Sequence, residues 1–332
     1  MRRVLVPLQI APAHPPINCP QRDFAGQSMG TRWTVRFVDT SQRATHDWQA
    51  GIQAQLDLVV AQMSHWQDDS ILGIYNRASA GSWHVLPPEF LDVMRCALDV
   101  AALSQGAYDP TAGAIVNLWG FGPGSAYAAP DFRPPDEVAI GAALADCGWQ
   151  RVRFDTAQRM FQPGGLQLDL SSIAKGYGVD LVARYLHANG IDHFLVEVGG
   201  ELRGAGMKPD GQPWWVSLEE PDDDSVTTIA ALHGLSVATS GDYRRHFEYA
   251  GRRYAHTLDP RSGYPLADGV ASVTVLHEDC MRADAWSTAL TVMGVEAGLA
   301  CAETHGIAAR FLLHEAGAFR EHASTAFAGM LQ

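Results

Sequence analysis

Apolar and polar residues alternate with a period of two along residues 29–38. Trp33, Val35 and Phe37 are separated by arginine and threonine residues. Successive side chains of a strand point to opposite faces, so this alternation predicts a strand with one buried face. Further apolar stretches predict strands at residues 193–198, 214–219, 226–238, 253–258, 270–276 and 307–313, and a hairpin around residues 151–169.

A spacing of three and four residues between apolar positions predicts helices. The clearest helix spans residues 173–188, where Val179, Val182 and Leu186 share one face and Asn189 and Gly190 supply a stop signal. The same spacing predicts helices over residues 47–63, 88–104, 136–147, 283–293 and 295–304. Because these helices alternate with strands that look antiparallel, we predict an α+β fold with mixed or antiparallel sheets and packed helices.

Composition narrows the class of protein. The chain has 332 residues, of which 47% are hydrophobic and 18% charged, so it has ample material for a folded core. Its net charge of −13 argues against nucleic acid or an anionic membrane as the main partner. The apolar runs look too short for a transmembrane segment. The five cysteines include no Cys-x-x-Cys pair, so neither a disulfide framework nor a zinc site is expected.

The chain begins with a proline-rich stretch. Its short apolar run is broken by Pro7, and Cys19 lacks the small preceding residues typical of a lipidated cysteine. We therefore expect a disordered leader over residues 1–23, one domain over residues 24–325 and a short tail over residues 326–332. With no convincing export signal, the sequence itself favours a cytoplasmic location.

Two glycine-rich segments match known motifs only in part. Residues 26–30 fit the Gly-x-Ser-x-Gly pattern of serine hydrolases around Ser28, but that motif needs a following helix, and here a strand is predicted. Residues 120–124 lack the final glycine of a dinucleotide fingerprint. A serine hydrolase is therefore a remote alternative.

A more informative segment lies at the start of the predicted helix 173–188. Asp169, two serines and Lys175 surround the point where the helix begins. The first turn of a helix offers backbone N–H groups to a phosphate, and a lysine adds positive charge. A lysine at this end of a helix also needs a compensating anion, which Asp169 could provide. The spacing leaves the phosphate site and the Asp169–Lys175 pair equally open.

Two other segments carry residues that could bind a metal ion or act in catalysis. Asp284 and Thr288 lie four residues apart and so on one face of a predicted helix, where they could supply two oxygen ligands to Mg²⁺. The alternative is a helix cap and a core-facing hydroxyl. His256 precedes a turn-rich segment that ends at Pro265, and it could be a catalytic or a structural residue.

Nine segments containing these residues follow one another in order and extend over roughly residues 25–320. They lie at residues 29–31, 63–76, 108–111, 118–122, 168–180, 198–201, 239–243, 256–265 and 283–294. Together they resemble the FAD:protein FMN transferases, the ApbE family. The resemblance implies a T-fold-related flavin transferase domain. It also implies an enzyme that moves FMN from FAD to a threonine or serine hydroxyl of a target flavoprotein as a phosphoester, releases AMP and requires Mg²⁺.

The resemblance also assigns residues. It implies FAD contacts at Met29, Trp66, Ala107, Tyr108, Asp109, Asp169, Lys175 and Leu258. It implies Mg²⁺ ligands at Ser172, through its backbone carbonyl, and at Asp284 and Thr288. His256 is the candidate general base for the acceptor hydroxyl, with Asp284 as the second candidate.

The expected partners are FAD and an acceptor flavoprotein with a Ser/Thr-Gly-Ala-Ser/Thr type site. By resemblance these acceptors are subunits of Na⁺-pumping NADH:quinone reductase or Rnf-type complexes, or nitrous-oxide-reduction regulators. Many family members act on the periplasmic face of the inner membrane, in contrast to the missing signal here. Two alternatives use the same residues: a Mg²⁺-dependent FAD pyrophosphatase that gives FMN and AMP, and a FAD-binding carrier without turnover.

Overall fold

The computed structural model describes residues 3–8, 19–41, 46–123, 126–129, 131–220, 227–241, 246–266, 269–315 and 318–332. Its helices are α1 (Trp48–Met63), α2 (Ile71–Asn76), α3 (Pro88–Leu103), α4 (Gly113–Leu118), α5 (Glu137–Asp146), α6 (Ala174–Ala188), α7 (Cys280–His305) and α8 (Thr325–Ala328). Its strands are β1 (Arg3–Leu5), β2 (Gln21–Ser28), β3 (Thr31–Val38), β4 (Ser82–Val85), β5 (Arg159–Gln162), β6 (Phe194–Val198), β7 (Glu201–Ala205), β8 (Trp214–Ser217), β9 (Thr228–Leu232), β10 (Leu235–Gly241), β11 (His246–Tyr249), β12 (Arg252–Ala255), β13 (Leu258–Asp259), β14 (Tyr264–Pro265), β15 (Val270–His277), β16 (Ala308–Glu315) and β17 (Ala318–Ala323).

Eight antiparallel strands form the central sheet, in the order β17-β16-β15-β10-β7-β6-β3-β2. The hairpin between β6 and β7 has only Gly199 and Gly200 in its turn, with φ angles of 65° and 109°. Positive φ at both positions is the geometry of a type I′ turn, which glycine adopts without strain. This tight turn places Glu201 directly at the start of β7.

Helices α1, α6 and α7 cover one face of the sheet. The alternation along β3 turns Trp33, Val35 and Phe37 inward, and all three are almost fully buried. The predicted apolar stripe of α6, which includes Val179 and Val182, packs in the same cluster. Burial of these matching faces explains why the patterns of period two and period 3.6 were readable in the sequence.

A small sheet of β1, β9 and β8 covers the opposite face, with β1 parallel to β9 and β8 antiparallel to it. Leu5 of β1 is 1% exposed, and the backbone N–H of Val6 donates to the carbonyl oxygen of Met330 at 2.9 Å. The expectation of a disordered leader is therefore wrong for residues 3–8, where β1 pairs with β9 and Leu5 joins this second core, and for residues 21–23, which belong to β2. The expected tail also packs here, since Phe327 of α8 is fully buried. Residues 9–18 lie outside the described residues.

Helix α7 combines the two helices predicted over residues 283–304. Its path bends at Gly294, whose φ of 74° and ψ of 177° are not helical. Within the described part of the chain, it is the one helix with the length and mean hydropathy of a membrane span, contrary to the expectation from sequence. However, 56% of that apolar window is buried inside the fold, as is usual for a core helix.

Several predicted elements differ in their pairing. The hairpin expected around residues 151–169 is present in short form, with an antiparallel bridge between Phe154 and Met160. Its second arm, β5, also pairs with β4, whose residues precede it by about 75 positions. The strand predicted at residues 226–238 is two strands, β9 and β10, which Gly234 separates with a φ of 71°. An acidic run at residues 222–224 lies outside the described residues.

A separate cluster of aromatic residues holds together α4, α5 and the hairpins β11–β12 and β13–β14. We call it the aromatic lobe, and it contains Trp119, Phe121, Tyr127, Phe247 and Tyr254. The Phe247 ring stacks on Tyr254 with centroids 5.0 Å apart, and the Trp119 indole N–H donates to the carbonyl oxygen of Gly263 at 2.7 Å. These contacts position the segment that carries His256 and Leu258.

Candidate functional site

Lys175, Glu201 and Asp284 form a group of charges, which we call the charged cluster, with both carboxylates buried and the lysine half-buried. Lys175 lies in the first turn of α6, Glu201 at the start of β7, and Asp284 in the first turns of α7. The Lys175 ammonium forms an ion pair with Glu201. Glu201 and Asp284 are each 3% exposed. Three elements that are distant in sequence therefore meet at this point.

Close packing of α6 against α7 fixes the position of Asp284. The backbone N–H of Gly176 donates to Asp284 Oδ2 at 2.9 Å. A Cβ atom at Gly176 would lie 2.4 Å from the Cys280 carbonyl oxygen and 2.8 Å from Asp284 Cβ. Only glycine permits this approach without a shift of one helix, so residue 176 sets the distance between Lys175 and Asp284.

Asp180 holds the beginning of α7 in place. Its carboxylate accepts the backbone N–H groups of Cys280, at 3.1 Å, and Met281, at 2.9 Å. Such bonds satisfy amide groups that have no partner within the helix. Arg203 of β7 forms an ion pair with the same carboxylate. Arg203 and Glu201 are two residues apart on β7. Through Glu201 this strand binds Lys175 of α6, and through Arg203 it binds Asp180, which in turn holds the start of α7.

The electrostatics of the charged cluster favour an additional cation. Burial raises the pKa of Glu201 to about 7, with Lys175 lowering it and Asp284 raising it further. Burial also raises the pKa of Asp284, against the opposing effects of Lys175 and the Gly176 amide. Burial alone would lower the pKa of Lys175, but the two carboxylates outweigh it and the pKa is raised. Two carboxylates thus share one ammonium, and Glu201 Oε2 has no hydrogen-bond partner among the described residues.

The residues expected to bind Mg²⁺ border this cluster. Thr288 lies one turn after Asp284 on α7, and its hydroxyl is 3.0 Å from the Ser240 hydroxyl of β10. Ser172 lies in the turn before α6. No group of three or more histidine, cysteine or acidic side chains in a metal-binding arrangement occurs in the described ranges. A carboxylate, a hydroxyl and a backbone carbonyl beside surplus negative charge nevertheless fit Mg²⁺, which prefers oxygen ligands and retains waters.

Asp169 pairs with His65 and not with Lys175. Its Oδ1 accepts the Ser171 backbone N–H at 2.8 Å and the Ser171 hydroxyl at 2.6 Å, and lies 3.4 Å from His65 Nδ1. Burial would raise the pKa of Asp169, but His65 and Ser171 outweigh it and lower the pKa to about 2. The alternative of an Asp169–Lys175 pair is therefore wrong. The anion that Lys175 required is Glu201.

An open cleft with a volume of about 240 Å³ lies beside Asp169. Its polar lining consists of His65, Asp68, Asn76, Arg77, Asn117, Gln167 and Asp169. Trp66 follows His65 in the chain, with ring centroids 5.2 Å apart, and its side chain is 63% exposed. An exposed indole beside a polar cleft is suited to stacking on a flat aromatic ligand.

The remaining residues expected to contact FAD differ in their accessibility. Ala107 and Tyr108 are 1% and 2% exposed, and burial raises the pKa of the Tyr108 phenol well above its usual value. Both carboxylate oxygens of Asp109 are engaged, by Thr111 and by the Trp149 backbone N–H. Asp109 therefore stabilises its own loop, and Tyr108 is largely covered.

Met29 occupies the tight turn between β2 and β3. It has a φ of 50° and is followed by Gly30 with a φ of 69°. The end of its side chain would lie 2.8 Å from a Cβ placed at Gly178, so it reaches the first turns of α6. The same turn follows Ser28 directly, and no helix follows as a hydrolase motif would require.

His256 and Leu258 belong to the aromatic lobe. Leu258 is 7% exposed within the cluster, and the half-buried His256 ring lies edge-on to Phe121 with centroids 6.4 Å apart. Asp242 and Tyr243, which the family motif also includes, lie outside the described residues. The expected site residues therefore lie mainly in the charged cluster, around the cleft beside Asp169 and in the aromatic lobe.

Comparison with known proteins identifies the family. The model of the ApbE family matches residues 29–311. The chain belongs to the ApbE family. It is 39% identical over 310 residues to the FAD:protein FMN transferase of Vibrio cholerae serotype O1, covering 92% of each chain. It is 32% identical over 312 residues to that of Escherichia coli K12, covering 92% of this chain and 88% of the relative.

Solved ApbE structures agree with this membership. The apo flavinyl transferase ApbE of Pseudomonas stutzeri matches with a TM-score of 0.86 and 40% identity, covering 94% of this chain and 97% of that one. The flavin transferase ApbE of Vibrio cholerae matches with a TM-score of 0.85 and 37% identity, covering 94% and 99%. The resemblance, the α+β ApbE-like fold and the expectation of a transferase enzyme are confirmed.

Sequence reasoning assigned no role to Glu201, Asp180, Arg203 or His65. Glu201 and Asp180 lay within matched segments, so their presence was noted without a function. The usable signal for Glu201 was the need of Lys175 for an anion at a helix N-terminus. No local pattern linked Arg203 to Asp180 or His65 to Asp169, because each pair joins elements more than 20 residues apart.

Proposed function

We propose that this ApbE-family enzyme transfers FMN from FAD to a threonine or serine hydroxyl of a flavoprotein, in a Mg²⁺-dependent reaction that releases AMP. The acceptor oxygen forms a bond to the flavin-side phosphorus, and the bond from that phosphorus to the AMP oxygen breaks. The hydroxyl proton passes to a base. The observation that carries this proposal is the charged cluster, where one lysine and surplus carboxylate charge meet at the start of a helix.

The charged cluster suits a pyrophosphate together with a divalent cation. Lys175 and the first amides of α6 would hold phosphate oxygens, since both present positive charge. Asp284, Thr288 and the Ser172 carbonyl would hold Mg²⁺, which when bound neutralises charge on the departing phosphate. Phosphoryl transfer needs positioning and charge stabilisation more than covalent help from the protein. The rigid junction of α6, β7 and α7 provides that positioning.

The isoalloxazine ring of FAD and the hydroxyl of the acceptor protein would lie on either side of the charged cluster. Trp66, beside Asp169 and the open cleft, would stack on the isoalloxazine ring. His256 of the aromatic lobe would take the proton from the acceptor hydroxyl, with Asp284 as the second candidate. The acceptors we propose carry a Ser/Thr-Gly-Ala-Ser/Thr type site, as in subunits of Na⁺-pumping NADH:quinone reductase or Rnf-type complexes, or in nitrous-oxide-reduction regulators.

An acceptor assay tests the proposal. The purified protein is incubated with FAD, Mg²⁺ and a flavin-acceptor domain carrying a Ser-Gly-Ala-Thr type site, and intact mass, AMP and free FMN are measured. We expect a mass gain of one FMN with equimolar AMP, abolished by EDTA. AMP with free FMN and unmodified acceptor would instead identify a FAD pyrophosphatase. Bound FAD without any AMP would identify a carrier.

A further inference from the structure

His65 has a buried ring nitrogen that lacks a hydrogen-bond partner in the described part of the chain. Its Nδ1 lies 3.4 Å from Asp169 Oδ1, and its side chain is 11% exposed. Its Nε2 is buried and makes no hydrogen bond with any described residue. Leaving a buried polar atom unsatisfied costs free energy, so native structures usually provide a partner from protein, water or ligand. His65 also lines the open cleft, so a molecule bound there can provide that partner once the ring turns Nε2 toward it.

The other polar groups around the cleft already have partners. Asn76 exchanges two hydrogen bonds with the backbone of Leu168, at 2.7 and 2.9 Å. Arg77 forms an ion pair with Asp68 at 2.8 Å. The Asn117 side-chain amide donates to Gln167 Oε1 at 2.8 Å. Of the buried side-chain atoms that these cleft residues contribute, His65 Nε2 is the one with no partner in the part of the chain that the structure describes.

We propose that His65 is a flavin-nucleotide-binding residue, oriented by Asp169 so that Nε2–H donates a hydrogen bond to an acceptor atom of FAD in the cleft. This inference rests on the proposed function, because it takes FAD as the occupant of the cleft. Trp66 supports the choice of ligand, since it presents an exposed aromatic face directly beside His65. A flat ring that carries hydrogen-bond acceptors, such as a flavin or an adenine, can stack on Trp66 and also accept a hydrogen bond from His65.

The neighbouring charges make the hydrogen bond dependent on pH. Burial would lower the pKa of His65, but Asp169 outweighs it and the pKa is raised above 6.5. The other charged groups on the cleft, Asp68 and Arg77, neutralise each other. In the imidazolium both ring nitrogens carry protons, so Nδ1–H binds Asp169 while Nε2–H binds the ligand. Deprotonation leaves Nε2 as an acceptor, and FAD affinity should therefore fall as pH rises through the raised pKa.

Binding of FAD in EDTA, followed by quenching of flavin fluorescence across pH 5 to 9, tests the proposal without turnover. His65→Phe keeps a ring but removes the donor, and we expect FAD binding to weaken about tenfold at low pH, with a flat pH profile. His65→Gln keeps an amide donor that does not titrate, and should recover most of the affinity without the pH step. The control is His187→Gln, which alters a histidine paired with Asp192 at the far end of α6 and should change nothing.

NMR titration of ¹³C-labelled histidine in the wild-type protein gives a second readout that does not depend on folding of a variant. Binding of FAD should raise the pKa of His65 further, because the ligand stabilises the protonated ring. Unchanged FAD affinity in His65→Phe, or an unchanged His65 pKa with bound FAD, would overturn the proposal and leave the proposed function standing. Failure of the wild-type protein to bind FAD both in EDTA and with Mg²⁺ would overturn both.

Discussion

The charged cluster and the aromatic lobe solve the problem of positioning functional groups in different ways. In the charged cluster, ion pairs and amide hydrogen bonds join Lys175, Glu201 and Asp284 across two helices and a strand. In the aromatic lobe, His256 and Leu258 are positioned by ring stacking around Phe247. The first region offers fixed charge in a buried setting, whereas the second offers a hydrophobic framework around a half-buried imidazole.

This difference suggests that the two regions have different roles in the proposed reaction. Buried charges interact strongly and need little reorganisation, which suits binding and stabilisation of a pyrophosphate. A half-buried histidine on a hydrophobic framework can meet an incoming protein and exchange a proton with it. Substitutions in the first region should therefore abolish chemistry altogether, while substitutions in the second should slow one step.

The largest effect is expected for Asp284→Asn. FMN transfer should fall by about 10³-fold or more, because the substitution removes the carboxylate ligand proposed for Mg²⁺. The unfolding free energy at pH 7 should rise slightly, since two buried carboxylates no longer share one lysine. Transfer rates by intact mass and unfolding by urea measure the two quantities. Asp99→Asn, which removes an exposed carboxylate on the neighbouring helix α3, is the control that should alter neither.

A smaller loss is expected for His256→Ala. Removing a general base typically costs 10²- to 10⁴-fold, and we expect kcat to fall by about 10²-fold while FAD affinity changes less than twofold. Calorimetry with FAD and single-turnover transfer separate binding from chemistry. A loss of FAD binding that matches the loss of transfer would show that His256 is a ligand-binding residue instead, and would remove the proposed division between the two regions.

The ion pair between Asp169 and His65 is expected to contribute to the stability of the fold. Because the pKa of Asp169 is lowered to about 2, its ionised form is stabilised in the folded protein relative to an unfolded value near 4. That contribution, on the order of 2 kcal/mol, is complete above pH 4 and is lost as pH falls toward 2. Asp169→Asn should therefore lower the unfolding free energy by about this amount at pH 6, with the difference from wild type narrowing at pH 3. Urea denaturation at both pH values measures the change, and an equal difference at the two values would contradict the assignment.

The smallest effect is expected for Trp66→Ala. Its side chain is 63% exposed, so its removal should leave stability within about 0.5 kcal/mol. Loss of a stacking partner should weaken FAD binding about threefold to tenfold. Val138→Ala, which truncates a side chain that is 81% exposed on α5, is the matched control for loss of exposed apolar surface. Equal FAD affinity in both variants would place the flavin away from Trp66.

Local pattern was enough to predict most of the helices and the interior strands. The alternation along β3 and the stripe on α6 were readable because each buries one face against the same core. Pairing over long distances was not readable. Strands β4 and β5 lie far apart in sequence, and β1 is held by β9 and the C-terminal residues, so no local signal revealed these partners.

The candidate site shows the same limit. Motif order predicted the family and placed Lys175, Asp284 and Thr288 at one site, and the structure brings the first two into one cluster. Motif order did not reveal that Lys175 forms an ion pair with Glu201, nor that Asp169 pairs with His65. Both partners are chosen by tertiary packing, and for Glu201 this packing depends on the glycine at position 176 and the turn at Gly199 and Gly200. His65 lies between Ser64 and Trp66, which belong to a matched segment. A single histidine in a loop forms no periodic pattern or motif from which its role could be predicted.

The fate of each phosphate of FAD tests the central claim most directly. FAD labelled with ³²P only on its flavin-side phosphate is incubated with the protein, Mg²⁺ and an acceptor domain, and FAD labelled only on the adenosine-side phosphate is used in parallel. The account predicts that the flavin-side label becomes bound to the acceptor and resists denaturation, while the adenosine-side label is recovered entirely as AMP. Recovery of the flavin-side label as free FMN, or of the adenosine-side label on the acceptor, would contradict it.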